Sequence, residues 1–494
     1  MSERLVVVSN RVPIPTTEGI SPGGLVSALL PSLEATGTAV WFGWSGETSA
    51  ACPADREPQR MSARGVEYVL VDLTVDEVRG YYEEYGNRVL WPLLHGLVEH
   101  VAHSAAEAYP VYRAVNAVFA RRLVAMLQPD DLVWIHDYHL IPLAEELRKL
   151  GWQGRTGYFQ HTPVPTPDVW MALPHHGPLS AAYAAYDLIG VQTERDRANL
   201  QDILLDPLLA DRIHAYPISI DPERFRRFTR DAEASAPHPA FDLPAPALLY
   251  FGVERLDYTK GIPQRLEAFE RALATTPPMR SGARFIQWAA PSRTGVPEYQ
   301  EERDAIEAAA RRLNDRFLEH PLAIDFESHP PEQVASALQQ ADVCVVSSIA
   351  DGMNLVAKEF AAVHSAERPG VLVLSDGCGA AEELRDALVF RAGDVGGMSE
   401  AMRRAYFMPD AERRFRAESL RAVVDGHTSR DWLREFVEDL RSASSRTRAP
   451  AARIGHHPDT NRRRDVARLG RGDGELATRG ALSVSPMPEV PPRS

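Results

Sequence analysis

Arg255 and Lys260 share the segment VERLDYTKGI, residues 253–262. An apolar run that predicts a strand precedes them and a helical pattern follows. Cations placed there can neutralise a departing diphosphate, the arginine through forked N–H bonds and the lysine as a point charge. A surface loop that happens to carry two charges is the competing explanation. Arg293, in APSRTGVPEY (290–299), is a third cation between a strand and a helix. Arg11 ends the first apolar run, upstream of PGGL at 22–25. Glycines before a helix, Gly24 among them, let a phosphate or sugar approach the backbone, and the helix start favours an anion. A plain turn would use the same glycines.

Polar side chains gather at other strand ends. DLVWIHDYHL (131–140) runs from an apolar strand into His136, Asp137, Tyr138 and His139. Asp137 can accept from a sugar hydroxyl or orient a histidine. The next strand ends at His161 in HTPVPTP, whose prolines stiffen the loop and suit a preorganised site. In SSIADGMNLVAKEF (347–360) a strand leads through Asp351 to a helix starting near Asn354. The first N–H groups of that helix, Leu355 and Val356 included, can meet a phosphate, and Glu359 follows in position to grip ribose hydroxyls. A helix cap at Asp351 and a solvated Glu359 are the alternative. Tyr82 and Trp91, in YYEEYGNRVLWP (81–92), are either core aromatics or the wall of a sugar or phosphate pocket. No DxD motif stands at a strand end, and no P-loop or DxDxT signature occurs, so no metal or cofactor is expected.

These residues need elements to hold them. Short apolar runs at 4–9, 131–136, 156–160 and 188–192 predict strands buried on both faces, with helices at 111–127 and 140–150. The pattern restarts with strands at 248–253, 284–289, 342–347 and 371–375, and helices at 262–274, 297–313, 331–340 and 355–364. Alternation of this kind implies parallel sheets built from βαβ units. The Pro- and Ala-rich stretch 231–246 reads as a linker. The expected fold is α/β: two Rossmann-like, doubly wound domains, 1–235 and 236–445, facing a cleft, and a disordered basic tail, 446–494.

Composition narrows the function. A length of 494 residues suits two domains, and a net charge of −14 argues against a nucleic-acid partner. Anionic substrates must then be met by local clusters of cations. No apolar run reaches the ~18 residues of a membrane span, and the N-terminus reads as a strand rather than a signal peptide. Three scattered cysteines, Cys52, Cys344 and Cys378, imply neither a disulfide framework nor a zinc site and suit the cytoplasm.

Eleven segments stand in the same order as in one family: VVVSNR, GGL, WFGWSG, YYEEYGNRVLWP, WIHDYHL, HTPVPTP, YDLIGVQT, VERLDYTKG, PSRTGVPEYQ, DGMNLVAKEF and GVLVLSDGCGA. Over about residues 4–440 the chain resembles the trehalose-6-phosphate synthases, retaining glycosyltransferases of the GT-B fold. The resemblance implies that Gly24, Arg255, Lys260, Leu355, Val356 and Glu359 hold a nucleoside diphosphate. It places donor glucose at Asp351 and His161, and the acceptor phosphate at Arg11, Tyr82, Trp91 and Arg293. Asp137 then lies near the acceptor hydroxyls, and Trp41 and Trp44 line the acceptor side. Arg255, Lys260, Asp351 and His161 form the catalytic group. The implied substrates are a nucleoside-diphosphate glucose, UDP-glucose foremost, and glucose-6-phosphate. Transfer would retain configuration without a covalent enzyme intermediate. Apart from the resemblance, a homo-oligomer is expected because such assemblies are common among cytoplasmic enzymes. The segment SSIA before Asp351 departs from the pattern of enterobacterial members, which leaves the donor base open. Two alternatives remain: a glucosylglycerol-phosphate synthase taking glycerol-3-phosphate, and an inactive regulatory subunit of the same fold.

Overall fold

The computed structural model describes residues 3–16, 19–20, 24–50, 57–232, 248–293 and 295–443. Most of the expected linker and the whole tail, 446–494, lie outside them. In the first half, β1 (Leu5–Arg11), β2 (Ala39–Thr48), β3 (Gln59–Ala63), β4 (Val66–Leu73), β5 (Leu132–His136), β6 (Thr156–Phe159), β7 (Leu188–Val191) and β8 (Ile213–Ala215) form one sheet. Their order is β8-β7-β6-β5-β1-β2-β4-β3, parallel except for the β3–β4 pair. The chain leaves central β1 in both directions, so a topological switch point lies between β1 and β5.

The second half repeats the plan. Strands β9 (Leu248–Arg255), β10 (Ala283–Ala290), β11 (Leu322–Asp325), β12 (Val343–Val346), β13 (Val371–Ser375) and β14 (Leu388–Phe390) pair in the order β11-β10-β9-β12-β13-β14. All are parallel, and the switch point falls between β9 and β12. Helices α1 (Gly24–Thr36), α2 (Tyr109–Val124), α3 (Leu143–Lys149), α4 (Ile262–Thr275), α5 (Pro297–Arg316), α6 (Pro331–Gln340) and α7 (Leu355–Val363) are among those that connect the strands. Four of these, α2, α4, α5 and α6, carry proline in the first turn, where its missing N–H costs no bond.

Every strand read from the apolar runs is present. Strands β2, β3, β4, β8, β11 and β14 were not foreseen; β3, Gln59–Ala63, has no buried residue and no apolar run to announce it. The segment Val78–Leu90 is a π-helix. Its wider turn explains why Tyr82 and Trp91 fit no single face of an ordinary helix.

One boundary is corrected. The division at 236–445 gives the whole C-terminal part to the second domain, but the last helix, α8 (Ser429–Ser442), packs on the first sheet. Phe436 stacks on Trp134 with ring centroids 4.4 Å apart, and Trp432 meets Phe159 edge-on at 5.1 Å. Two glycines make room: a Cβ at Gly157 or at Gly190 would stand 2.8 Å from the Phe436 ring. Contacts accordingly gather Met1–Ser445 into one unit.

Candidate active site

Both switch points carry the polar residues singled out above. On the second sheet, β9 ends at exposed Arg255 and the chain turns through Asp257 to Lys260. Asp257 caps the turn, its Oδ1 accepting from the Thr259 N–H at 3.0 Å and the Thr259 hydroxyl at 2.8 Å. Lys260 Nζ donates to Asp351 Oδ2 at 2.6 Å. Asn354 Nδ2, at 3.2 Å, and the Ser348 hydroxyl, at 3.3 Å, donate to the same oxygen. Burial disfavours charge on both Lys260 and Asp351. Their mutual attraction outweighs it, so the ammonium's pKa lies above its usual value and the carboxyl's below.

A buried network supports this turn from beneath. Ser347 Oγ donates to the carbonyl of Lys260 at 2.9 Å and accepts from Arg265 Nε at 2.9 Å. Arg265 is fully buried and donates to Glu254 at 2.5 Å and to Gln287 at 2.8 Å.

After β12 the chain reaches Asn354, which has φ +72 and caps the N–H of Ala357 at 3.3 Å. The N–H groups of Leu355 and Val356, the first of α7, have no partner within the helix. Glu359 follows on the same helix, and burial pushes its carboxyl up to about 7. Gly352 touches the first half directly: a Cβ there would stand 1.9 Å from the carbonyl oxygen of His161. The Asp351–Gly352 loop therefore packs on the backbone of His161 at the seam between the two sheets' carboxyl ends.

His161 itself follows β6. Its Nε2 lies 3.0 Å from His136 Nδ1, and Gln192 Nε2 lies 3.5 Å from its Nδ1. Burial lowers the ring's pKa to about 3, so it is neutral. Asp137, at the end of β5, has φ +74. Its Oδ1 accepts from the N–H groups of His161 at 3.3 Å and Thr162 at 3.4 Å. Burial raises this carboxyl to about 6 against those bonds. Of six described non-glycine residues with positive φ, three are Asp137, Arg293 and Asn354. Half of the non-glycine residues with left-handed backbone thus fall on this one region, as expected where function constrains a chain.

The remaining candidates form an arc of rings between two arginines. Arg11 is exposed and lies 5.8 Å from the Trp44 ring centroid. Trp44 meets Tyr82 at 5.6 Å, and Tyr82 stacks on His139 at 5.7 Å. His139 packs on Tyr138 at 3.9 Å, and Tyr138 meets Trp91 at 5.8 Å. The Arg293 guanidinium closes the arc, 3.8 Å above Trp91. Arg293 belongs to the second half and Trp91 to the first, so the arc needs both. Gly24 opens α1; the residues just before it, 21–23, lie outside the described ones.

Trp41 is a correction. It is fully buried in the core on the sheet's other face, and its Nε1 donates to Ser9 Oγ at 2.8 Å. Trp41 and Trp44 are three apart in one strand, so they point to opposite faces. Asp257 and Ser348 belong to the region but were not among the candidates. Asp257 had a visible signal, an acid between Arg255 and Lys260. Ser348 had none, because its role depends on the fold bringing it to Asp351.

The sequence pattern of glycosyltransferase family 20 matches residues 3–206 and 209–442. The "Trehalose-6-phosphate synthase" of Klebsiella pneumoniae subsp. pneumoniae is 38% identical over 465 residues, covering 90% of this chain and 96% of that protein. A crystal structure of an α,α-trehalose-phosphate synthase (UDP-forming) from Burkholderia xenovorans in complex with glucose-6-phosphate superposes with a TM-score of 0.82 at 34% identity. That match covers 89% of this chain and 100% of the other. A structure described as "Trehalose-6-phosphate from E. coli bound with UDP-2-fluoro glucose" has a TM-score of 0.82 at 35% identity, covering 90% and 100%.

Proposed function

Because the chain belongs to glycosyltransferase family 20, we propose that it transfers glucose from a nucleoside-diphosphate glucose, UDP-glucose foremost, to glucose-6-phosphate, making α,α-trehalose 6-phosphate. One observation carries the assignment: Arg255 and Lys260 follow β9 of the second sheet, while Arg11 and Arg293 stand at the two ends of the arc of rings, 5.8 Å from Trp44 and 3.8 Å from Trp91. Each substrate brings its own phosphate, and we assign one pair to each. The molecules bound to the two structural relatives support the same pairing.

Arg255 and Lys260 neutralise the diphosphate as it departs, which is the step where preorganised charge counts most. Leu355 and Val356 offer N–H groups to the same phosphates, Gly24 lets them approach, and Glu359 takes the ribose hydroxyls. Donor glucose lies at the seam of Asp351 and His161, where a hydroxyl can replace the long Gln192–His161 contact of 3.5 Å. The acceptor phosphate sits between Arg11 and Arg293 against Tyr82 and Trp91, and Asp137 receives an acceptor hydroxyl. Transfer proceeds with retention. Departure and attack share one face of the glucose, and the β-phosphate takes the acceptor's proton as the new bond forms. No covalent enzyme intermediate is needed; the protein supplies orientation and excludes water. Activated sugars are cytoplasmic metabolites, so the cytoplasm is the compartment we assign, and a homo-oligomer the assembly state. No described helix is long and apolar enough to cross a membrane.

The test is a matrix of released nucleoside diphosphate. UDP-, GDP- and ADP-glucose are crossed with glucose-6-phosphate and glycerol-3-phosphate, and products are identified by NMR. Turnover with glucose-6-phosphate and an α,α-1,1 product is expected. Turnover confined to glycerol-3-phosphate would replace the acceptor. Tight nucleotide binding without any product would mean a regulatory protein.

A further inference from the structure

Asp257 touches both halves of the chemistry. It is wholly buried between Arg255 and Lys260 in sequence. One carboxylate oxygen, Oδ1, holds the donor turn through the Thr259 N–H and hydroxyl, at 3.0 and 2.8 Å. The other, Oδ2, accepts from Arg293 Nη1 at 3.0 Å and from the Tyr299 hydroxyl at 3.3 Å. Arg293 also donates to that same tyrosine oxygen. The Thr259 carbonyl is in turn bound by the N–H of Ile349 at 2.8 Å, which leads into the Asp351 loop. Burial opposes ionisation of Asp257, but Arg293, Lys260 and Arg255 together keep its pKa below the ordinary carboxylate value. It is therefore a carboxylate at neutral pH, ringed by the donor-side and acceptor-side cations.

We propose that Asp257 is a positioning residue that couples the two substrate sites, fixing the donor-phosphate turn through Oδ1 and the acceptor-phosphate arginine through Oδ2. The inference rests on the roles given above to Arg255, Lys260 and Arg293. When an acceptor phosphate orders Arg293, the shared carboxylate is ordered with it, and the turn bearing Lys260 is set before the nucleotide arrives. The second ligand then meets a site already arranged, which is positive coupling, and linkage makes it reciprocal. The arrangement also favours transfer to glucose-6-phosphate over transfer to water, because the leaving-group site is best formed when the acceptor is present.

Asp257→Asn isolates the link. The amide keeps an oxygen to cap Thr259, but turns an N–H donor toward the guanidinium donor of Arg293. Calorimetry would measure UDP affinity with and without saturating glucose-6-phosphate, so that no turnover intervenes. In the unchanged protein the acceptor should tighten UDP about fivefold or more. In Asp257→Asn that factor should fall to about one, while UDP alone binds within about threefold of the original. A purely structural role would weaken both ligands and lower the melting temperature without touching their mutual effect. Thr259→Val, which removes the hydroxyl at the donor end, should also reduce the coupling, and carries the test if Asp257→Asn does not fold. Equal coupling in the folded variants, or none in an unchanged protein that binds both ligands, overturns the proposal. Failure of the unchanged protein to bind UDP or glucose-6-phosphate would instead overturn the substrate assignment, and the link with it.

Discussion

Arg255 and Lys260 differ in what restrains them. Lys260 is tied to Asp351 at 2.6 Å, whereas Arg255 is exposed and has no hydrogen-bond partner among the described residues. Replacing either with alanine should lower kcat by at least about a hundredfold, ~2.7 kcal/mol of barrier, as loss of a preorganised charge at a departing group does. A loss under tenfold in single-turnover assays would remove that residue from the leaving-group site. Glu359 offers a pH test. Its carboxyl is raised by burial from its ordinary value of 4.5 to about 7 in the folded protein. Between those values the folded state holds a proton that the unfolded chain has lost, so this group makes stability fall as pH rises from about 4.5 to 7. Glu359→Gln should therefore melt closer to the unchanged protein at pH ~5 and relatively higher at pH ~8. An identical offset at both pH values would sink the assignment. The cations were legible because charge between a strand and a helix is a local pattern. Trp41 was misread because a strand's facing depends on its partners.

At the scale of elements, the seam between β6 and the loop after β12 decides whether the halves can meet. Gly352 has no room for a side chain, and its obstacle is a backbone carbonyl that cannot rotate away. Gly352→Ala should cost about 1–3 kcal/mol or more of stability and reduce turnover with it. Unchanged melting and unchanged kcat would show that the seam opens freely. The strand ends were readable from short apolar runs, since a strand buried on both faces needs little else. The π-helix at Val78–Leu90 was not, because its period lies outside the patterns that sequence reading applies.

For the whole molecule, the decisive element is the last one. Trp432 sits at the far end of the chain from β5 and β6 yet is buried against Trp134 and Phe159. Trp432→Ala should destabilise the protein by about 3–5 kcal/mol in urea unfolding, an effect on the first sheet from a residue expected in the second domain. A change below ~1 kcal/mol would mean that the helix is dispensable. Deleting residues 446–494, which the sequence reads as a basic tail outside the two domains, should leave melting temperature and activity within error. By itself the sequence determined the alternation of strands and helices, the two parallel sheets and the local placing of Arg11, Arg255, Lys260 and Glu359. These follow from periodicity and from neighbours a few residues away. The tertiary structure alone decided that α8 closes the first sheet, that Trp41 faces the core, and that Arg293 reaches across to Trp91 while sharing Asp257 with the donor turn. Those pairings join residues far apart in the chain, and their energies depend on burial and distance, which no local pattern encodes.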